Sequence, residues 1–275
     1  MIKVQWMQTI LYVRGLNSQG DDALRAGGLA FGPMHGPWLK ELKRRGFNAV
    51  ALTGFGAGAL SGQIERAVQL VQRLPVWSES RNRFHLLGHS TGGLVARALA
   101  HELKCPERVI SVVTLATPHR GSPLVESAES FSKRHPWLHW GLCRVNYDIN
   151  QRLASFRDLS PKAAELFNQR YPDIKGIDYA SVVFSLPPHE MGWPVRIANR
   201  LLRDESELRA HDGYVESDSQ RWGQILAEMN LDHLGQIGFC FSLNPLVRRQ
   251  SRAKFSILAD QLEQHWRRSL HSADL

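Results

Sequence analysis

The segment Thr9 to Val13, TILYV, is short, apolar and β-branched at several positions, and it runs into Gly15, Asn17 and Gly20. That pattern predicts a buried strand delivering a loop. Pro37 to Arg45 places Trp38, Leu39 and Leu42 on one side of a helix that Gly46 ends, and Phe47 to Leu52 is a second buried strand. A glycine-rich turn, Gly54 to Gly62, precedes a clearer helix, in which Ile64, Ala67, Val68, Val71 and Leu74 recur at helical spacing until Pro75 stops it. Phe84 to Leu87 follows as a strand, Gly88 to Gly93 as a sharp turn, Leu94 to Leu103 as a helix and Val109 to Ala116 as a β-prone run. Strand and helix alternate through residue 116, which predicts an α/β fold: a mostly parallel central sheet with helices on both faces.

From Gly121 to about Gly176 the rhythm is lost. Phe131, Trp137, Trp140, Tyr147, Phe156, Phe167 and Tyr171 stand among charged residues, and Pro136, Pro161 and Pro172 interrupt them. A structureless loop of that length is uncommon inside a compact domain, so several short helices laid over the sheet are expected. They either complete the core or form a cap shaping an acyl pocket, and the two readings are compatible. The pattern resumes with Ile177 to Phe184, a Pro187 to Pro194 loop, and Val195 to Leu202 as a short strand or helix. Ser217 to Met229 reads as helical, with Trp222, Ile225, Leu226 and Met229 apolar, and Phe255, Leu258, Ala259, Leu262 and Trp266 form the stripe of a terminal helix. The expectation is a single domain over residues 1–275 with a helical cap or lid inserted at 121–176.

Composition adds limits. The chain of 275 residues is 43% apolar and 22% charged, which suits a folded globular protein with one large core. A formal charge of +8 would suit nucleic acid or an anionic membrane, but no run resembles a recognition helix, a zinc finger or an aromatic platform flanked by arginines. The densest basic stretch, Arg248, Arg249, Arg252 and Lys254 with Arg267 and Arg268 beyond, reads most simply as a solvated surface. Cys105, Cys143 and Cys240 have neither metal-ligand spacing nor the look of a disulfide framework. The opening MIKVQWMQTILYVRG reads as a first strand, not as a signal peptide or membrane span, and cytoplasmic residence follows as the default expectation.

The segment FHLLGHSTGGLVARAL carries the chemistry. Ser90 stands within Gly88-His89-Ser90-Thr91-Gly92, between a strand and a helix, the setting in which Gly-x-Ser-x-Gly marks the nucleophile elbow of an α/β-hydrolase. Small residues on either side let strand and helix pass closely and leave the serine oxygen exposed above the sheet. The carbonyl oxygen of an ester gains charge under attack, and preorganised amides can hold it. The expected donors are the backbone N–H of Thr91 and that of Leu16, in the loop where Arg14-Gly15-Leu16 leaves the first strand.

A serine needs an imidazole to take its proton and a carboxylate to fix that imidazole. With 12 histidines in the chain, number decides nothing. The order serine, acid, histidine expected of this elbow excludes His35, His85, His89 and His101 as the base and favours His233, in a loop after a predicted helix. His265 is a late competitor inside the terminal helix. Asp212, in His211-Asp212-Gly213, is the expected acid. Asp232 adjoins His233 and is read as orienting its own loop, Asp178 as capping a strand, and Glu216 and Asp218 lie near enough to Asp212 to be rivals.

With Arg14-Gly15-Leu16, Gly88-His89-Ser90-Thr91-Gly92-Gly93, Thr117-Pro118-His119-Arg120-Gly121-Ser122, His211-Asp212-Gly213 and Asp232-His233-Leu234 in order, the chain resembles the bacterial triacylglycerol lipase and esterase branch of the α/β-hydrolase superfamily. The resemblance implies a core of about six strands lacking the first two of the full superfamily pattern, and a helical cap after the Thr-Pro-His segment, with His119 stabilising a loop or pocket. Arg14 departs from the histidine usual in the first loop. Gly235 stands where relatives that hold calcium place an aspartate, so no metal or other cofactor is expected. The implied activity is carboxylic ester hydrolysis on a lipid-like substrate through a Ser-His-Asp triad and an acyl-enzyme, with peripheral contact to a lipid surface as a further implication. A phospholipase, thioesterase or acyltransferase using the same triad is the alternative, and a non-catalytic binding protein of this fold a more distant one.

Overall fold

The computed structural model describes residues 9–15, 23–26, 29–55, 58–122, 157–202 and 209–273. Six strands form one sheet: β1 (Thr9–Val13), β4 (Asn48–Leu52), β5 (Phe84–His89), β6 (Val109–Leu115), β7 (Asp178–Phe184) and β8 (Gln224–Met229), in the order β4-β1-β5-β6-β7-β8. Every pairing is parallel. The segments that follow the strands therefore gather at one end of the sheet. A separate antiparallel hairpin, β2 (Ala23–Ala26) with β3 (Leu29–Pro33), has no counterpart in the sequence expectations.

Period two explains the burial of β1 on both faces. Leu11 and Val13 join a core with Leu86 and Val112 under α2 (Leu60–Arg73) and α4 (Thr91–Glu102), reached by Ile64, Ala67, Val95 and Leu99. Ile10 and Tyr12 join the opposite core with Leu87 and Val113, Trp38 and Leu42 of α1 (Gly36–Arg44), and the stripe Leu258, Leu262 and Trp266 of the terminal helix α8 (Pro245–Ala273). The short α3 (Pro75–Ser78) starts at the proline that stops α2. In α5 (Pro161–Arg170), Ser160 caps the first turn by accepting from the Ala163 amide at 3.3 Å. α6 (Trp193–Leu202) resolves the Val195 to Leu202 segment as a helix.

The sequence expectation fails over Ser217 to Met229. Only α7 (Ser217–Gln220) is helical, and the rest is the edge strand β8. Gly223 divides them at φ +59°, where a side chain would meet the Tyr179 carbonyl oxygen at 2.1 Å. The strand is only half buried, so its apolar residues show no clean alternation and imitate a helical stripe. α8 also begins well before the stripe that announces it. Of the expected cap at 121–176, residues 123–156 lie outside the described residues. Beyond them, α5 packs through Phe167 against the core that covers α4.

Candidate active site

Strand β5 ends at His89 and α4 begins at Thr91, which leaves Ser90 alone to turn the chain, at φ +57° and ψ −135°. A non-glycine residue held there costs on the order of 1–3 kcal/mol, and the surroundings must over-determine it. They do: the Ser90 amide donates to the Leu115 carbonyl at 2.8 Å, and the Ser90 carbonyl accepts from Thr117 Oγ1 at 2.8 Å. The two glycines of the motif allow close approach. A Cβ at Gly88 would lie 2.4 Å from the Gly93 Cα, and one at Gly92 would lie 2.3 Å from the Val13 carbonyl oxygen. Thr91 opens α4, so its amide precedes the helical hydrogen-bond ladder and faces outward at the positive end.

The loop leaving β1 meets this turn. A Cβ on Gly15 would stand 2.8 Å from Ser90 Cβ and 2.9 Å from the His89 carbonyl oxygen, so only a bare backbone fits. Arg14 is buried beneath, at 1% exposure. Leu16, the expected second amide donor, lies outside the described residues.

Asp212 and His233 arrive from the two loops at the same end of the sheet, after β7 and β8. His233 Nδ1 sits 2.7 Å from Asp212 Oδ2, and the His233 amide donates to the Asp212 carbonyl at 2.9 Å. The carboxylate is fully buried, and its other oxygen accepts from the amides of Tyr214 at 3.0 Å and Val215 at 2.8 Å. Burial pushes this carboxyl up, but the imidazole, Gln236 and the Val215 amide together outweigh it and hold the group below its usual range. Asp212 is therefore an anion suited to fix the imidazole with its proton on Nδ1 and its free nitrogen on Nε2.

Sequence reasoning missed Gln236. Its Nε2 donates to Asp212 Oδ2 at 2.8 Å, its Oε1 lies 3.1 Å from His89 Nε2, and its carbonyl accepts from Trp38 Nε1 at 3.0 Å. The available signal is spacing: three residues after His233, at the start of a 3-10 turn (Gly235–Ile237), a side chain returns to the same face. His89, excluded as the base by chain order, lies with its ring 4.7 Å from that of His233, and burial pushes its pKa down to about 3, so it is a neutral imidazole. Tyr214 packs edge-on to His233 at 5.0 Å. Ser90 directly follows His89 in the chain, and among the described residues His233 hydrogen-bonds through Nδ1 and its amide.

The rival groups have other partners. Asp232 accepts from the amides of Gly192 and Gly235, both at 2.7 Å, and so ties two loops together. Asp178 accepts from Ser269 Oγ at 2.8 Å and lies 3.4 Å from His265, linking β7 to α8. Glu216 lies 3.6 Å from Arg209, and Asp218 lies 3.8 Å from Arg221. His119 is buried between Arg97 at 3.2 Å and Thr114 at 3.0 Å and stacks on Trp222, which makes it a support for the turn after β6. Among the described residues no group of three or more His, Cys, Asp or Glu could hold a metal ion.

The chain is similar to known proteins in sequence and in fold. The family model of palmitoyl protein thioesterases matches residues 55–157. Triacylglycerol lipase 2 of Saccharomyces cerevisiae is 24% identical over 213 residues, covering 73% of this chain and 60% of its own length. A triacylglycerol lipase of Pseudarthrobacter phenanthrenivorans is 41% identical over 103 residues, 33% of this chain and 32% of its own. The chain thus spans less than two thirds of the length of each of these curated relatives. In fold it is similar to the Staphylococcus hyicus lipase, with a TM-score of 0.70, 15% identity and 98% coverage of each chain. The parallel six-stranded sheet, the strained serine between strand and helix and the likeness to a lipase structure together show an α/β-hydrolase fold.

Proposed function

We propose that the protein is a serine hydrolase of lipid-like carboxylic esters. In this reading Ser90 is the nucleophile, His233 the general base and then acid, Asp212 its orienting anion, and the amides of Thr91 and Leu16 the oxyanion donors. His233 Nε2 takes the hydroxyl proton as Ser90 Oγ bonds to the ester carbon. It returns that proton to the departing alcohol, and a water activated by the same nitrogen releases the acid. The observation that supports this most is the 2.7 Å contact between a buried, ionised Asp212 and His233, in loops at the end of the sheet where Ser90 turns the chain.

Replacing Ser90 by alanine is expected to lower kcat on p-nitrophenyl esters by roughly 10⁴-fold or more and to abolish labelling by a fluorophosphonate, with the melting temperature preserved. Hydrolysis retained by the pure S90A protein would overturn the assignment. Chain length in the ester series, run beside triglyceride and phospholipid emulsions, separates esterase from lipase and phospholipase action.

The match to the thioesterase family model over residues 55–157 favours one second reading, cleavage of fatty acyl thioesters. The same triad serves both. Rates on palmitoyl thioester and on the matching oxygen ester distinguish them.

A further inference from the structure

We infer that the face built from the start of α6 and the start of α8 is a docking surface for an anionic lipid bilayer. The inference extends the lipid-ester reading but rests on a surface that contains none of the proposed catalytic residues.

Two short stretches supply most of the large apolar side chains that the described residues expose. Trp193 and Ile197 on α6 are 38% and 52% exposed, and Leu243 and Leu246 at the start of α8 are 94% and 67% exposed. The stretches are neighbours: the Trp193 amide donates to the Phe241 carbonyl at 3.2 Å, the two rings meet at 6.1 Å, and Trp193, Leu243 and Val247 line one cleft of about 590 Å³. Leaving such residues in water has a free-energy cost that a bilayer would remove in proportion to the apolar area covered.

Cations stand among them. Arg196 and Arg200 follow Trp193 and Ile197 by one helical turn, and Arg248, Arg249 and Arg252 follow Leu246. From Asn244 to Ala259 the chain has no Asp or Glu. Several arginines elsewhere are paired: Arg45 reaches Glu41, Asp260 and Glu263, Arg221 reaches Glu228, and Arg267 reaches Glu263. Arg196, Arg248, Arg249 and Arg252 have no carboxylate within ion-pair distance among the described residues. The stretch that reads from sequence as a solvated surface is therefore a set of unneutralised charges around exposed apolar tips. That combination fits a headgroup layer with acyl chains beneath it, whereas a nucleic acid would match the charge and leave the leucines in water.

Position gives the surface a use. The loops after β7 and β8 carry both this face and the Asp212 and His233 loops, and all six strands point the same way. Asp232, which adjoins His233, also lines the cleft. A bilayer met here lies at the end of the sheet where Ser90 turns the chain, so docking would bring lipid esters to the proposed catalytic end.

The test is flotation with vesicles of phosphatidylcholine alone or with phosphatidylglycerol added, using S90A so that hydrolysis does not alter the lipid. Binding to the anionic vesicles is expected, weakened at least about tenfold both by L243S/L246S and by R248E/R249E/R252E. In the Ser90 protein both surface variants should keep hydrolysis of a dissolved short ester. Three results would overturn the proposal: no vesicle binding, binding indifferent to L243S/L246S, or equal capture by duplex DNA. Loss of dissolved-ester hydrolysis by S90A alone tests the catalytic reading, so the two failures are distinguishable.

Discussion

Gln236 donates to the same oxygen of Asp212 that His233 meets, and its own carbonyl accepts from Trp38. Removing the amide would leave Asp212 Oδ2 and His89 Nε2 each short of a partner in a buried site, where an unmet polar group costs about 1–3 kcal/mol. Gln236→Leu is therefore expected to lower kcat roughly tenfold while KM changes little, because the imidazole is less firmly held. Gln236→Glu would set a second carboxyl against Asp212 and disfavour the anion. Its acid limb in the pH profile of kcat should move to higher pH, a shift that a merely structural role would not produce. Identical profiles for the two proteins would refute a positioning role for Gln236.

Among the elements, the loop after β1 and the elbow after β5 leave no room between them. Gly15→Ala would press a methyl group on Ser90 Cβ at 2.8 Å and on the His89 carbonyl oxygen at 2.9 Å. The serine must then shift, and a displacement of this kind next to a reacting oxygen costs on the order of 10²-fold in rate. The expected result is a large fall in kcat with a smaller fall in melting temperature, checked by kinetics and calorimetry on one preparation. Arg97 does comparable work on the other side of α4: it donates to Asn168 Oδ1 at 2.7 Å and to the Tyr171 carbonyl at 2.9 Å, and lies 3.6 Å over Trp222. It thereby ties the nucleophile helix to α5 and to the approach to β8.

For the whole molecule, acid stability follows from buried histidines. Burial lowers His85 and His89 from 6.5 to about 3 and His119 well below its usual value. The unfolded chain takes up these protons near pH 6.5 and the folded chain does not, so stability is intact above that pH and declines as pH falls toward 3. His85 and His89 should each cost about 2 kcal/mol between pH 7 and pH 5. Urea unfolding at the two pH values measures this. A midpoint unchanged across that interval would show that these rings stay accessible to protons.

The sequence alone determined the alternating αβ order through residue 116 and the strand–serine–helix turn at Ser90, and it singled out Asp212 and His233, which the structure brings to 2.7 Å, from many carboxylates and 12 histidines. Those features are local or sequential: period-two strands, glycines flanking a serine, and the order of motifs along the chain. The edge strand β8 was illegible because half-burial blurs a strand's alternation, and Gly223 was the one overlooked sign of a break. Only tertiary structure could pair Gln236 with His89, 147 positions away, or show that Arg45 is neutralised while Arg248 is not. A hydrogen bond or an unpaired charge belongs to a position in space, and one chain's residue types fix that position only after the sheet has brought distant loops to the same end.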